Sequence, residues 1–170
     1  GYKVLVGESA SRKGLYGGTP EEQAAEFQYM MTTAPCDAVL ALRGGYGTMR
    51  YLERLDYKAI RKYRKAFIGY SDCTALHMAI NRYSRLITYH GPMGVDFKAE
   101  RKADIDALFN VLEGKLKVIE PLPEPPRGAI GTELGEGIFR GGNMTILSVL
   151  SGTPYFLEDE SWEDTLLFIE

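Results

Sequence analysis

Three short apolar runs, each followed by a polar or glycine-rich turn and then by helical periodicity, constrain the fold of this chain more than any other feature. They cover residues 38–42, 66–68 and 86–89, and a similar run at residues 4–6 precedes them. Runs of this length that are apolar throughout are typical of strands buried on both faces. Because they alternate with amphipathic helices, the sequence predicts an α/β fold with a parallel sheet and crossover helices.

A change in composition divides the chain. Residues 121–128 (PLPEPPRG) contain four of the eight prolines, and the sequence beyond them is rich in glycine. We therefore predict an α/β domain over residues 1–114, a proline-rich linker over 115–128, and the beginning of a truncated C-terminal domain over 129–170.

The charge and cysteine content exclude several classes of function. A net charge of −3 gives no long-range attraction to nucleic acid or to anionic membranes, and no run of 18 apolar residues predicts a membrane span. Cys36 and Cys73 form neither a disulfide framework nor a metal-binding spacing. The cysteines thus indicate a reduced compartment, and because no metal cluster or cofactor motif appears, the sequence predicts no metal and no cofactor.

Unusual residues follow the ends of three predicted strands: RGGYG at 43–47, GYSD at 69–72 and HGP at 90–92. The carboxyl ends of parallel strands meet at one edge of a sheet, where ligands bind. Glycines at 43–47 allow backbone N–H groups to form a nest for an anion or an oxyanion. A serine on the next turn would face this nest, beside a helix N-terminus that favours negative charge.

Two interpretations of Ser71 remain open at this point. It is either a nucleophile on a strand-to-helix turn, although Cys73 replaces the final glycine of the usual G-x-S-x-G motif, or the N-cap of the following helix. The loop at residues 43–47 could equally hold a phosphate, but it is not a Walker motif because no Gly-Lys-Ser/Thr follows.

The histidines and Asp72 also have alternative interpretations. His77 lies inside a predicted helix and is expected to be a packed or surface residue, whereas His90 stands at a strand end and is the stronger functional candidate. Asp72 directly follows Ser71, so its side chain should point away from the serine. The sequence therefore does not favour a catalytic triad formed by Ser71, His90 and Asp72.

Four motifs in order resemble one known family. RGGYGTMRYLERLDYKAI, FIGYSDCTALHMAI, ITYHGPM and GGNMTILSVLSGTPY are similar to motifs of the LD-carboxypeptidases, the serine peptidase family S66, which includes the microcin C self-immunity proteins. The resemblance covers residues 14–170. Together with the strand pattern, it predicts a flavodoxin-like or amidotransferase-like parallel sheet followed by the start of a second domain.

The resemblance implies a serine carboxypeptidase that cleaves an amide bond between an L- and a D-centre and releases terminal D-alanine from murein tetrapeptides. In that family the catalytic groups are a Ser-Glu-His triad. The resemblance assigns the nucleophile to Ser71, the triad glutamate to Glu170, and the oxyanion donors to the N–H groups of Asp72 and Gly45. The triad histidine would lie beyond Glu170, so we expect the chain to be an internal fragment that is inactive alone.

Substrate contacts are expected from four further residues. Arg43 has the chemistry to bind a substrate carboxylate, or else to pair with a local acid. Gly44, His90 and Asn143 are candidates to line the cleft, although Asn143 in the GGN sequence could equally start the next helix.

Two other functions compete with the murein peptidase. The first is hydrolysis of a peptidyl-adenylate, as in the microcin C branch of the family. The second is a non-catalytic module that holds an anion in the loop at residues 43–47. The expected partner is a small peptide or a peptidyl-nucleotide. The family resemblance implies a cytoplasmic location, with which the two unpaired cysteines agree, and a possible homodimer.

Overall fold

The computed structural model describes residues 1–116, 135–156 and 164–170. The strands there are β1 (Ala38–Leu40), β2 (Ala66–Gly69), β3 (Tyr89–His90), β4 (Ile138–Gly142) and β5 (Thr165–Ile169). The α-helices are α1 (Pro20–Met31), α2 (Tyr57–Tyr63), α3 (Thr74–Ala79), α4 (Lys102–Leu112) and α5 (Met144–Leu150). Short 3-10 helices cover Glu8–Ser11, Thr48–Arg54, Ser71–Cys73, Gly94–Asp96 and Ala99–Arg101, and a π-helical turn, Ile80–Ser84, extends α3.

Two parallel sheets organise the described residues. Strands β1, β2 and β3 lie side by side in that order, with Ala38 opposite Ala66 and Ile68 opposite Tyr89. Strands β4 and β5 form a second parallel pair. Helical segments connect β1 to β2 and β2 to β3, so the predicted α/β class is confirmed.

The helices begin where side chains satisfy their first backbone N–H groups. Thr19 Oγ1 accepts a hydrogen bond from Glu22 N, and the Glu22 carboxylate accepts one from Thr19 N, which forms a capping box ahead of Pro20. Asp56 caps α2 by accepting from Ala59 N.

The strand predicted at residues 4–6 is wrong. This segment has no regular structure, pairs with no strand among the described residues, and leaves Val4 and Val6 77% and 69% exposed. An apolar run forms a strand only where another strand can bond to its backbone. Strand β1 also ends earlier than predicted, at Leu40, and the carbonyls of Ala41 and Leu42 beyond it accept hydrogen bonds from Gly94 N and Val95 N.

The core lies between β2 and α3 and extends to α5. Phe67 of β2, the whole of α3, and Leu150 of α5 are buried in one cluster. The domain boundary at residue 129 stays a prediction, and residues 117–128 of the predicted linker, like residue 129, lie outside the described residues. None of the helices in the described ranges is long and apolar enough to cross a membrane.

Candidate active site

Ser71 lies on a strained turn between β2 and α3. Its φ angle is 58°, in the left-handed region that costs a residue with a side chain about 1 kcal/mol. It is not a helix cap: neither the 3-10 turn nor α3 has a side-chain cap, and the Ser71 hydroxyl has no hydrogen bond in the described part of the chain. A sharp strand-to-helix turn that leaves a serine hydroxyl unbonded is the geometry of a nucleophile elbow.

Gly44 brings the loop at residues 43–47 directly against this serine. A Cβ atom added to Gly44 would lie 3.1 Å from Ser71 Cβ and 3.2 Å from Ser71 Oγ. A Cβ added to Gly45 would meet nothing within 4 Å, so the backbone at Gly45 is open. The loop therefore passes the serine hydroxyl at contact distance, as predicted from the meeting of strand ends at one edge.

The Asp72 carboxylate binds the end of the same loop. Its Oδ2 accepts hydrogen bonds from Gly47 N at 3.0 Å, Thr48 N at 3.0 Å and Thr48 Oγ1 at 2.7 Å. The residue is 6% exposed. The carboxylate thus joins the serine turn to the glycine-rich loop, a function that sequence reasoning missed because nothing in the spacing of residues 48 and 72 indicates contact.

Glu170 and His90 form an ion-pair geometry at the same edge. His90 lies opposite Gly69 in the register of β2 and β3, and its Nε2 is 2.9 Å from Glu170 Oε2. Glu170 is held by its backbone, because its N–H donates to Gly142 O and its carbonyl accepts from Met144 N. His90 is the last residue of β3 and Glu170 directly follows β5, but their pairing was not predicted.

Of the remaining predicted substrate residues, Arg43 has a side chain without a hydrogen bond among the described residues, and Asn143 has a side chain that is hydrogen-bonded. Arg43 is exposed and makes no hydrogen bond or ion pair within residues 1–116, 135–156 and 164–170. Asn143 Oδ1 accepts from Ile146 N at 3.3 Å and so caps α5, while its N–H donates to Thr74 Oγ1. Asn143 therefore starts the next helix, which is one of the two interpretations that the GGN sequence had left open.

His77 is a packed residue, as expected. Its Nε2 lies 2.8 Å from Gly69 O, which fixes the tautomer that carries a proton on Nε2, and burial lowers its pKa to about 4. It is therefore a neutral donor that supports the end of β2. Its other nitrogen, Nδ1, is buried without a hydrogen-bond partner in the described part.

Cys73 does not compete with Ser71 as a nucleophile. The thiol is 5% exposed, and burial together with the nearby Asp72 carboxylate raises its pKa to about 12. It stays protonated at neutral pH, and the thiol form is a weak nucleophile. Among the described residues there is no group of three His, Cys, Asp or Glu side chains that could hold a metal ion.

The comparison with known proteins identifies the family. A model of the LD-carboxypeptidase N-terminal domain matches residues 1–91, more than half of the chain. The chain belongs to the LD-carboxypeptidase family. The match contains the loop at residues 43–47, Ser71, Asp72 and His90, whereas Asn143 and Glu170 lie beyond it.

Three relatives within this family bear on the function. A probable murein peptide carboxypeptidase of Bacillus subtilis (strain 168) is 35% identical over an alignment of 178 residues that covers all of this chain and 53% of the relative. The microcin C7 self-immunity protein MccF of Escherichia coli is 32% identical over 110 residues, which cover 65% of this chain and 33% of MccF. A muramoyltetrapeptide carboxypeptidase from Oxalobacter formigenes has a crystal structure that matches with a TM-score of 0.72 at 27% identity, over 93% of this chain and 53% of that one.

The fold of MccF also matches closely. Its structure in complex with aspartyl sulfamoyl adenosine has a TM-score of 0.80 at 25% identity and covers 98% of this chain and 58% of MccF. The chain spans about half the length of the curated relatives that match all of it, such as the Bacillus subtilis protein.

Proposed function

We propose that the protein containing this chain is a serine peptidase that cleaves an L–D amide bond and releases terminal D-alanine from murein tetrapeptides. The observation that carries the proposal is the conformation of Ser71: a left-handed serine whose hydroxyl has no hydrogen bond among the described residues, placed at contact distance from a glycine-rich loop. Such strain has no use in a helix cap and is typical of a catalytic turn. The murein peptide carboxypeptidase names of the relatives support the substrate class.

In this proposal Ser71 Oγ attacks the carbonyl carbon of the scissile amide while a histidine outside this chain accepts its proton. His77 does not fit this role, because its Nε2 is bound to Gly69 O and burial lowers its pKa to about 4. Glu170 would orient the histidine and stabilise its cation. We also propose that the chain alone is inactive, since no histidine follows His90 in its sequence.

The oxyanion would be bound by the N–H groups of Asp72 and Gly45. The helix that follows Ser71 contributes a partial positive charge at its N-terminus, and the backbone at Gly45 is open to a ligand. Loss of one such donor costs about 2.7–4 kcal/mol of transition-state stabilisation in serine peptidases.

Arg43 is proposed to bind the terminal carboxylate of the substrate, the group that a carboxypeptidase must recognise. Its exposure and the lack of an acidic partner in the described residues support this role. Gly44, His90 and Asn143 would line the cleft beside it. His90 would also keep its pair with Glu170, and Asn143 would also keep its cap of α5.

A second candidate is hydrolysis of a peptidyl-adenylate. It is favoured by the fold match to MccF bound to aspartyl sulfamoyl adenosine over nearly the whole chain. In both candidates Ser71 would attack a carbonyl carbon, and the two substrates differ in the leaving group, which is D-alanine in the first and a nucleotide in the second. A non-catalytic anion-binding module is disfavoured, because such a module gains nothing from strain at Ser71.

The test uses the full-length protein that contains this chain. It is incubated with an L-lysyl- or diaminopimelyl-D-alanine tetrapeptide, and release of D-alanine is followed for wild type, Ser71→Ala and a control, Ser148→Ala, which changes an exposed serine of α5. We expect release by wild type and Ser148→Ala and none by Ser71→Ala. Cleavage of a peptidyl-adenylate without release of D-alanine would select the second candidate, and no cleavage of either substrate would reject both.

We propose further that the protein acts in the cytoplasm. Cys36 and Cys73 are both free, which agrees with a reduced compartment. Fractionation of cells that express the full-length protein, followed by immunoblotting, would test the compartment. The homodimer stays a prediction that the sedimentation velocity of the same protein would test.

A further inference from the structure

We propose that the side chain of Asp72 is a positioning residue that holds the oxyanion loop, residues 43–47, against the nucleophile turn. The inference rests on the proposed function. It differs from the role of the Asp72 backbone N–H as an oxyanion donor, because it concerns the carboxylate, whose Oδ2 accepts hydrogen bonds from the end of the loop.

Hydrogen bonds hold the chain on both sides of the oxyanion loop, and we call these two sets of bonds the clamp. At the start of the loop, Ala41 N donates to Ile68 O at 2.9 Å, which continues the pairing of β1 with β2. At its end, Gly47 N and the N–H and hydroxyl of Thr48 all donate to Asp72 Oδ2. Both anchors lie on the segment from β2 to the serine turn, so the loop is fixed to the same backbone that carries Ser71.

The loop needs such an anchor because of its composition. Three of its five residues are glycine, which loses more backbone entropy on ordering than any other residue. Gly44 nevertheless must stay at contact distance from Ser71 Oγ for the loop to present an oxyanion donor. Hydrogen bonds to a charged acceptor are about twice as strong as neutral ones, and three of them meet at one oxygen here.

The charge of Asp72 does not itself favour the reaction. A buried carboxylate one residue from the nucleophile repels an oxyanion that forms beside it. Its Oδ1 has no hydrogen-bond partner among the described residues, so only Oδ2 is engaged. The carboxylate therefore contributes through the position of its three donors, and geometry rather than charge is the property to test.

The experiment compares two matched pairs of variants in the full-length protein. Thr48→Val removes the hydroxyl donor, and Thr48→Ser keeps it; Asp72→Ala removes the acceptor, and Asp72→Asn keeps one amide oxygen in its place. The rate of labelling by a fluorophosphonate reports the reactivity of Ser71 with any substrate. In that reaction Ser71 Oγ bonds to phosphorus, its proton passes to the base, fluoride leaves, and the P=O oxygen occupies the oxyanion position.

We expect Asp72→Ala to slow labelling about 100-fold, the loss that a misplacement of about 1 Å causes. Thr48→Val should slow it about 10-fold, because two of the three hydrogen bonds remain, and Thr48→Ser should restore most of the rate. Asp72→Asn should lose less than Asp72→Ala. With the peptide substrate the loss should fall on kcat, with KM little changed, and all variants should keep a melting temperature well above that of the assay.

Three results would overturn the inference. Equal losses in Asp72→Asn and Asp72→Ala would show that an acceptor oxygen at this position does not hold the loop, and a rise in KM alone would make Asp72 a ligand-binding residue of the pocket that it shares with Tyr46 and Arg50. An unchanged rate of labelling in Asp72→Ala would show that the clamp does not contribute to catalysis. Failure of the wild type to label at Ser71 would instead reject the proposed function. The rate of amide hydrogen exchange at residues 44–48 would then test the clamp, and a rate in Asp72→Ala that equals that of the wild type would reject it.

Discussion

The buried imidazole of His77 makes the stability of the fold depend on pH. Its pKa is lowered to about 4 from an ordinary value of 6.5, so between these values the unfolded chain binds a proton that the folded chain does not. Stability is therefore fully present above pH 6.5 and falls as the pH drops towards 4. For one group with this shift the loss at pH 5 is about 2 kcal/mol.

The measurement is urea denaturation of wild type and His77→Gln at pH 7 and pH 5. Glutamine keeps an N–H donor for Gly69 O and does not titrate. The free energy of unfolding of His77→Gln should therefore fall by about 2 kcal/mol less than that of the wild type between pH 7 and pH 5. His90→Gln, which removes the other histidine and its pair with Glu170, is measured alongside to separate the loss that depends on His77 from any loss that depends on this pair. Equal losses in wild type and His77→Gln would mean that His77 is not buried in its neutral form.

At the scale of the element, Asn143 is the start signal of α5. Its Oδ1 accepts from Ile146 N, so Asn143→Ala should lower the free energy of unfolding by about 1 kcal/mol, whereas Asn143→Asp should keep the cap. Chemical denaturation gives both values. The two variants also separate the cap from the proposed substrate contact: a KM that rises in Asn143→Asp, with stability retained, supports that contact, and an unchanged KM leaves Asn143 a cap alone.

The elements also show what the sequence could and could not predict. Strands β1 and β2 were predicted because an apolar run buried on both faces has a local signature. The run at residues 4–6 has the same signature and forms no strand, because pairing depends on a neighbour elsewhere in the chain. The meeting of Gly44 with Ser71 followed from the rule that parallel strand ends share an edge, whereas the bonds of Asp72 to Thr48 and of His90 to Glu170 depend on side-chain positions that no periodicity encodes.

At the scale of the whole molecule, the site is held together by a core that crosses the predicted domain boundary. Leu150 of α5 is fully buried in the cluster that contains Phe67 of β2 and Leu76 of α3. Glu170 reaches His90 only because β4 and β5 are anchored near α3, through contacts such as Asn143 N to Thr74 Oγ1. If this shared core folds as one unit, a cavity in α5 must weaken the sheet that carries Ser71.

Leu150→Ala tests this coupling in the full-length protein. Removing a fully buried leucine should cost about 2–5 kcal/mol, and the neighbouring control Val149→Ala, at a position 41% exposed, should cost less than about 0.5 kcal/mol. Amide hydrogen exchange at residues 67–69 of β2 should accelerate in Leu150→Ala along with that of α5, because both open in the same unfolding event. Faster exchange confined to residues 138–150 would show that the two parts unfold separately, which is the behaviour expected if residues 129–170 begin an independent domain.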